Sequence, residues 1–243
     1  MPAGPAIGRG PAASTREEVM PTVLITGANR GIGLEFARQY AADGWHVIAT
    51  YRDLASAQDL LALPVESHRL EVADFAEVED LGRRLANRPI DVLVNNAGTY
   101  GGSQAFGSVD MGDWATTLRT NAMAPLKLAE TFRGNLVLGG RKTFAALSSR
   151  MGSMGDNTSG GAYIYRSSKA ALNAVVKSLA IDLAPLGIVA FMLHPGWVKT
   201  RMGGANSLIT AAESVQGMRR LIEQAVPARV GRFYNYDGQE IPW

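Results

Sequence analysis

The chain has 243 residues, 47% of them hydrophobic and 19% charged, with a formal net charge of +2. This balance excludes a disordered chain and provides enough apolar surface for a full core. No apolar run approaches the ~18–20 residues of a membrane span, basic residues form no stripe of the kind a nucleic-acid surface requires, and the absence of cysteine excludes disulfides, thiolate metal sites and a cysteine nucleophile and fits a reducing, cytoplasmic setting.

Residues 1–20, MPAGPAIGRGPAASTREEVM, are dominated by Ala, Gly and Pro and show no apolar periodicity. They lack the continuous apolar centre of a signal peptide and read as a flexible N-terminal extension. Two explanations stand side by side: Met20 is the biological start, or the segment is a genuine tail. From Thr22 onward, short apolar runs alternate with amphipathic stretches. The runs cover 22–26, 46–50, 65–70, 91–95, 143–149, 188–195 and 233–236, and helical patterns cover 32–43, 53–62, 75–86, 113–132, 165–183 and 211–225. Seven strands alternating with helices of this length imply right-handed βαβ units and a parallel sheet covered on both faces. Residues 21–243 are therefore expected to form one doubly wound α/β domain of Rossmann type with a seven-stranded parallel sheet, without linker or internal repeat.

The first strand runs directly into Gly27-Ala28-Asn29-Arg30-Gly31-Ile32-Gly33, and a helix follows. Glycines there permit a left-handed backbone and close approach to a pyrophosphate, while the free N–H groups of the helix start supply an anion site. A Gly-Lys-Ser/Thr sequence is absent, which disfavours a nucleoside-triphosphate loop. Further along stand Asn95-Asn96-Ala97-Gly98, Tyr165-Arg166-Ser167-Ser168-Lys169 and His194-Pro195-Gly196-Trp197-Val198-Lys199-Thr200. Taken with TGANRGIG (26–33), these segments resemble, in order and spacing, the motifs of the short-chain dehydrogenase/reductase family. The resemblance spans about 22–243, and GDNTSGGAYIYRSSKAALN together with the ending FYNYDGQEIPW is most similar to the C-factor-type short-chain carbonyl reductases.

A carbonyl reductase holds a hydride donor against the carbonyl carbon, polarises the oxygen and delivers a proton to it. The resemblance makes Tyr165 the proton donor. Lys169, one helical turn on, projects from the same face and is expected to lower the phenol pKa and to hydrogen-bond the nicotinamide ribose. Tyr163 is a poorer candidate, because the residue four places on is Ser167. The run SSRMG (148–152) resembles the family segment whose second serine is catalytic, which indicates Ser149; Ser148 and Ser153 are weaker alternatives. The stretch from there to Tyr165 looks about three residues longer than usual and could reshape the substrate entrance. Asn121, mid-helix despite poor helix propensity, matches the family asparagine that bends its helix and anchors a water relay to the lysine. The catalytic set is thus Asn121, Ser149, Tyr165 and Lys169.

The cofactor set implied by the resemblance is Gly27, Asn29, Arg30, Gly31, Ile32, Gly33, Arg52, Glu71, Val72, Asn95, Ala97, Gly98, Tyr165, Lys169, Pro195, Gly196, Val198 and Thr200. Thr50 stands where NAD-preferring relatives place a carboxylate, and Arg52 and Arg30 could give charge-assisted contacts to a 2′-phosphate, so NADP(H) is the expected cofactor. Glu71 departs from the family's usual Asp at the adenine contact. Asp53 and Asp74 read better as helix caps. His46, His68 and His194 lack metal-ligand spacing, and no metal is expected. Met151, Met154, Met202 and Trp197 fall on the substrate side, as pocket or as core. Loops 99–112, 150–162 and 200–210 should set specificity for a small carbonyl or alcohol, and the short C-terminal region suggests an open site. Helices 113–132 and 165–183 resemble those that pair in family dimers and tetramers. The expected activity is NADP(H)-dependent reduction of a ketone or aldehyde, or its reverse. The competing readings are a dinucleotide-binding signalling protein of the C-factor type and, less well supported by the glycine spacing, a sugar-nucleotide epimerase or dehydratase.

Overall fold

A computed structural model describes residues 20–204 and 206–243; apart from Met20, the expected N-terminal extension lies outside the described residues. Seven strands form one parallel sheet: β1 (Thr22–Ile25), β2 (His46–Tyr51), β3 (Glu66–Arg69), β4 (Val92–Asn95), β5 (Thr143–Leu147), β6 (Val189–His194) and β7 (Phe233–Asn235). Their spatial order is β3-β2-β1-β4-β5-β6-β7. The chain winds outward from β1 to β3, then returns to place β4 on the other side of β1. Ligands of such sheets sit beyond the strand C-termini at this reversal, and the four motifs all follow the ends of β1, β4, β5 and β6 or the helices behind them.

Alternate residues of each strand face opposite sides, and both sides are dry. Leu24, Ile48, Leu93, Phe144 and Met192 pack under helices α3 (Phe75–Arg84), α5 (Ala124–Leu138) and α6 (Tyr163–Leu183). Val23, Ile25, Val47, Val94 and Phe191 pack under α1 (Gly31–Ala42) and α7 (Ala211–Glu223). Burial on both faces explains why these strands read as continuous apolar runs. Among the described residues no helix is long and apolar enough to cross a membrane.

Two expected helices differ. The stretch 53–62 divides into a 3₁₀ turn (Leu54–Ser56) and the short α2 (Gln58–Leu61). Asp53 accepts from the Ala55 N–H at 3.1 Å and Ser56 Oγ donates to the Asp53 carbonyl at 3.0 Å, so local side-chain bonds compete with the helical ladder. The stretch 113–132 is longer and interrupted: α4 (Met111–Leu118) passes through one wider π turn (Arg119–Met123) before α5. Pro125 has no N–H to return to the Asn121 carbonyl four residues back, and the chain widens at that point.

At the end of the sheet remote from the motifs, Arg88 donates to both oxygens of Glu66 at 2.8 and 2.6 Å, and His46 Nε2 and His68 Nε2 lie 3.0 and 2.7 Å from the same carboxylate. The Arg88 guanidinium chiefly, and then the two imidazoles against the opposing effect of burial, hold the Glu66 carboxyl down at about 2 from an ordinary 4.5. A depressed carboxylate stabilises the fold above its unfolded pKa and loses that contribution as pH falls through its folded value. Glu66→Gln should therefore lower stability at neutral pH by roughly 1 kcal/mol, given solvent screening, and flatten the acid limb of the stability curve between pH ~4.5 and ~2, as read by urea denaturation across pH.

Candidate active site

The ends of β1 and β4 are tied together before they diverge. Thr26 Oγ1 accepts the N–H groups of Asn96 and Ala97, each at 3.1 Å, and Asn96 Nδ2 donates to the carbonyls of Thr26 and Gly27 at 2.9 and 3.0 Å. The intervening turn folds too tightly for side chains: a Cβ on Gly33 would lie 2.4 Å from the Gly27 carbonyl oxygen, and Gly27 itself has φ +64°. Helix α1 then begins without a side-chain cap and without an acidic residue in its first turn. Its N–H groups are left for an external acceptor, as a phosphate would be.

Cations gather around this helix start. The Arg30 guanidinium is pulled below its ordinary pKa by burial, then by the like charges of Arg201 and Arg52. Arg52 reaches the Glu71 carboxylate at 3.5 Å, while the other Glu71 oxygen accepts from the Ala73 N–H at 3.1 Å and Val72 is buried behind it. Asp53 is engaged as a cap. Asn29 Nδ2 donates to Ser56 Oγ at 2.9 Å, and Thr50 Oγ1 accepts the Gly27 N–H at 3.2 Å. Across the turn, Thr200 Cγ2 would lie 3.4 Å from a Cβ on Gly31, and a cavity of about 450 Å³ opens along Lys199, Thr200, Arg201 and Gly204. Val198 is buried, the Pro195 carbonyl accepts from Ser214 Oγ at 2.5 Å, and Gly196 has φ +81°. An uncapped helix start, a glycine cradle and three arginines fit a phosphate-rich dinucleotide. Arg201 escaped the sequence reading because it lies one residue past the recognisable motif.

The side chains expected to handle the proton converge at the ends of β4 and β5. Burial pushes the Tyr165 phenol up to about 12; the Ser149 hydroxyl beside it pulls the other way, and Tyr100, its ring tilted against it at 4.7 Å between centroids, pushes it up. The expectation that Lys169 lowers this pKa is not met. Its ammonium is turned to the Leu147 carbonyl at 2.8 Å, 5.9 Å from the Tyr165 ring centroid, and burial is the largest influence on the phenol. Burial lowers Lys169 itself to about 8. Asn121 sits in the π turn, where its Oδ1 accepts the Thr99 N–H at 2.9 Å and its Nδ2 donates to the Thr99 carbonyl and Ser168 Oγ at 2.8 and 2.9 Å. Gly98 leaves room between them: a Cβ there would meet Asn121 Oδ1 at 3.2 Å and Lys169 Nζ at 3.6 Å. Asn95 is buried at the end of β4.

The alternative side chains are occupied elsewhere. Ser148 Oγ donates to Asn173 Oδ1 at 2.6 Å, a side-chain partner rather than the backbone; Ser153 Oγ donates to the Trp243 carbonyl at 3.3 Å. Tyr163 is exposed and lies 6.4 Å from Phe106 between ring centroids. Met154, Met202 and Trp197 are exposed rather than core, and Tyr100, Phe106 and Leu208 add to an apolar rim on this side. Tyr100 carried no periodic or motif signal of its own, whereas Ser168 stood inside the Tyr165–Lys169 motif without an assigned role. Among the described residues no cluster of three or more metal-ligating side chains occurs.

Residues 21–208 match the short chain dehydrogenase family. The chain is 48% identical over 155 residues, 64% of its own length and 93% of the relative's, to the C-signal protein of Myxococcus xanthus. It is 34% identical over 231 residues, 92% and 100% of the two chains, to 1-hydroxy-2-glutathionyl-2-methyl-3-butene dehydrogenase of Rhodococcus sp. strain AD45. It superposes with TM-score 0.86 and 33% identity, covering 92% and 99% of the two chains, on an NADPH-bound carbonyl reductase from chicken fatty liver.

Removing the Asn121 side chain leaves the Thr99 N–H and carbonyl without partners in a largely dry place. Asn121→Ala should cost about 2 kcal/mol of stability by chemical denaturation, and an unchanged midpoint would show that water replaces it.

Proposed function

The chain belongs to the short chain dehydrogenase family, and from that premise we propose that it is an NADP(H)-dependent carbonyl reductase with Tyr165 as general acid and base. The observation that carries this reading is the convergence of a protonated phenol, a second hydroxyl and a buried ammonium at the sheet edge, beside a glycine cradle ringed by arginines. Gly27, Gly31 and Gly33 would admit the pyrophosphate to the start of α1. Arg30 and Arg52 would meet a 2′-phosphate, with Glu71 and Val72 flanking the adenine, and Asn95, Ala97, Gly98 and the Pro195–Thr200 turn would border the nicotinamide half. Bound there, the nicotinamide supplies or accepts the hydride.

The rest is done by side chains. A carbonyl oxygen entering between Ser149 and Tyr165 accepts hydrogen bonds from both hydroxyls, which stabilise it as charge develops. With its pKa near 12, the Tyr165 phenol still holds its proton at neutral pH and can pass it to that oxygen. The Lys169 ammonium would stabilise the phenolate left behind and offset part of the cost that burial places on it. Asn121 fixes the Thr99 backbone and Ser168 next to Lys169, on the path along which the proton is replaced. The exposed rim of Tyr100, Phe106, Met154, Trp197, Met202 and Leu208 suits apolar carbonyls of varied shape. Exposed Met123 at the end of the π turn, Leu126, Val137 and Leu138 on α5 and Ile181 on α6 suit self-association into a dimer or tetramer. Identity with the C-signal protein supports a second reading, a dinucleotide-binding signalling protein with incidental turnover.

Tyr165→Phe should abolish NADPH oxidation across a panel of aldehydes, ketones and quinones while NADPH affinity stays within about threefold, since a lost proton donor costs ~10²-fold or more. Retained turnover removes Tyr165 from its role, and a wild-type chain that binds NADPH but turns over none of the panel favours the signalling reading. Arg52→Asp should shift selectivity toward NADH by at least tenfold in kcat/KM, because it replaces a phosphate partner by a repelling charge. An unchanged ratio would assign the preference to Arg30 and Arg201.

A further inference from the structure

The segment between β5 and α6 raises the question of what holds Ser149 in register with Tyr165, since the two arise from different elements. Ser149 caps a 3₁₀ turn (Arg150–Gly152): its Oγ accepts the Met151 N–H at 3.2 Å. That bond occupies a lone pair of the hydroxyl and leaves its proton to be donated. The carbonyl of the same residue, Met151, accepts from Arg166 Nη1 at 3.4 Å. Arg166 directly follows Tyr165 in α6, so its guanidinium links the serine-bearing turn to the tyrosine-bearing helix.

The other nitrogens of Arg166 reach the same loop. Nε donates to the Gly160 carbonyl at 3.2 Å and Nη2 to Ser159 Oγ at 2.8 Å. Its partners are thus two carbonyls and a hydroxyl, all within residues 151–160. The turn also sits against α6 directly: a Cβ on Gly152 would lie 2.8 Å from the Lys169 Cβ. This contact fixes how close the turn lies, while the guanidinium fork fixes its orientation. Lysine, with one nitrogen, cannot reach three divergent acceptors at once.

We infer that Arg166 is a positioning residue, which holds Met151 by its carbonyl and, through the N–H of the same residue, aims the Ser149 hydroxyl at the oxygen that Tyr165 protonates. It rests on the catalytic reading of Ser149 given above. Displacing an aligned hydroxyl by about 1 Å can cost ~10²-fold, so the effect belongs in kcat rather than in cofactor binding.

The test is a double-mutant cycle on the full chain. Arg166→Ala should lower kcat at least tenfold with NADPH affinity within twofold, and Arg166→Lys should recover only part of it. In a Ser149→Ala background, Arg166→Ala should cost less than twofold more. The same large factor in both backgrounds, or an unchanged kcat in the single variant, overturns the inference while leaving Ser149 in its role. If Ser149→Ala alone retains full turnover, the catalytic reading of Ser149 falls and the inference falls with it. Ser159→Ala removes only one arm of the fork and should give a smaller loss, also confined to kcat. It keeps the test decisive if Arg166→Ala does not fold: a loss that vanishes in the Ser149→Ala background supports the inference, and no loss overturns it.

Discussion

Lys169 carries an ammonium below the surface at the edge of the sheet, and much of the site can be read as accommodation of that one charge. Burying a cation is costly unless something polar meets it, and the Leu147 carbonyl at the last residue of β5 does so. Two glycines make the space: Gly98 after β4 beside the Nζ, and Gly152 after β5 beside the stem of the side chain. Asn121 is drawn to the same place by the π turn that Pro125 imposes. Loss of any of these would crowd or strand the charge.

The same burial divides the labour between lysine and tyrosine. In the resting site the phenol is raised and the ammonium lowered, so each is displaced toward its neutral form by the dry surroundings. In the proposed reaction the phenol keeps its proton until a carbonyl takes it, and the ammonium then faces a phenolate. An assignment that rests on spacing alone attributes to Lys169 a net depression of the tyrosine; in this dry site burial sets a net rise instead.

Around this centre the loops are held by few, specific contacts. Thr26 and Asn96 tie the strands at the reversal of the sheet, Thr200 comes up to Gly31, and Arg166 gathers the long loop after Ser149. The loop between β5 and α6 is therefore not loosely attached, since a side chain next to the proposed acid fastens it at three points.

Much was legible in the sequence because it depends on local rules. Apolar runs marked the inner strands, since a doubly covered parallel strand is apolar on both faces, whereas the edge strand β3 is polar and only partly buried; the glycine spacing marked the turn, since only glycine takes that backbone so close to its neighbours; and the spacing of Tyr165 and Lys169 put both on one side of a helix. What the sequence could not determine depends on which distant residues meet. The π turn at Asn121 needs Pro125 and a partner in Thr99. The breakdown of the expected helix over 53–62 comes from Asp53 and Ser56 bonding to local backbone more favourably than to a helix. The direction of the Tyr165 shift depends on how much water burial removes, and the place of Arg201 beside Arg30 depends on the loop after β6 folding back over the glycine turn. Only the tertiary structure fixes dielectric surroundings and long-range partners, because both are set by the whole packing of the chain and not by its spacing.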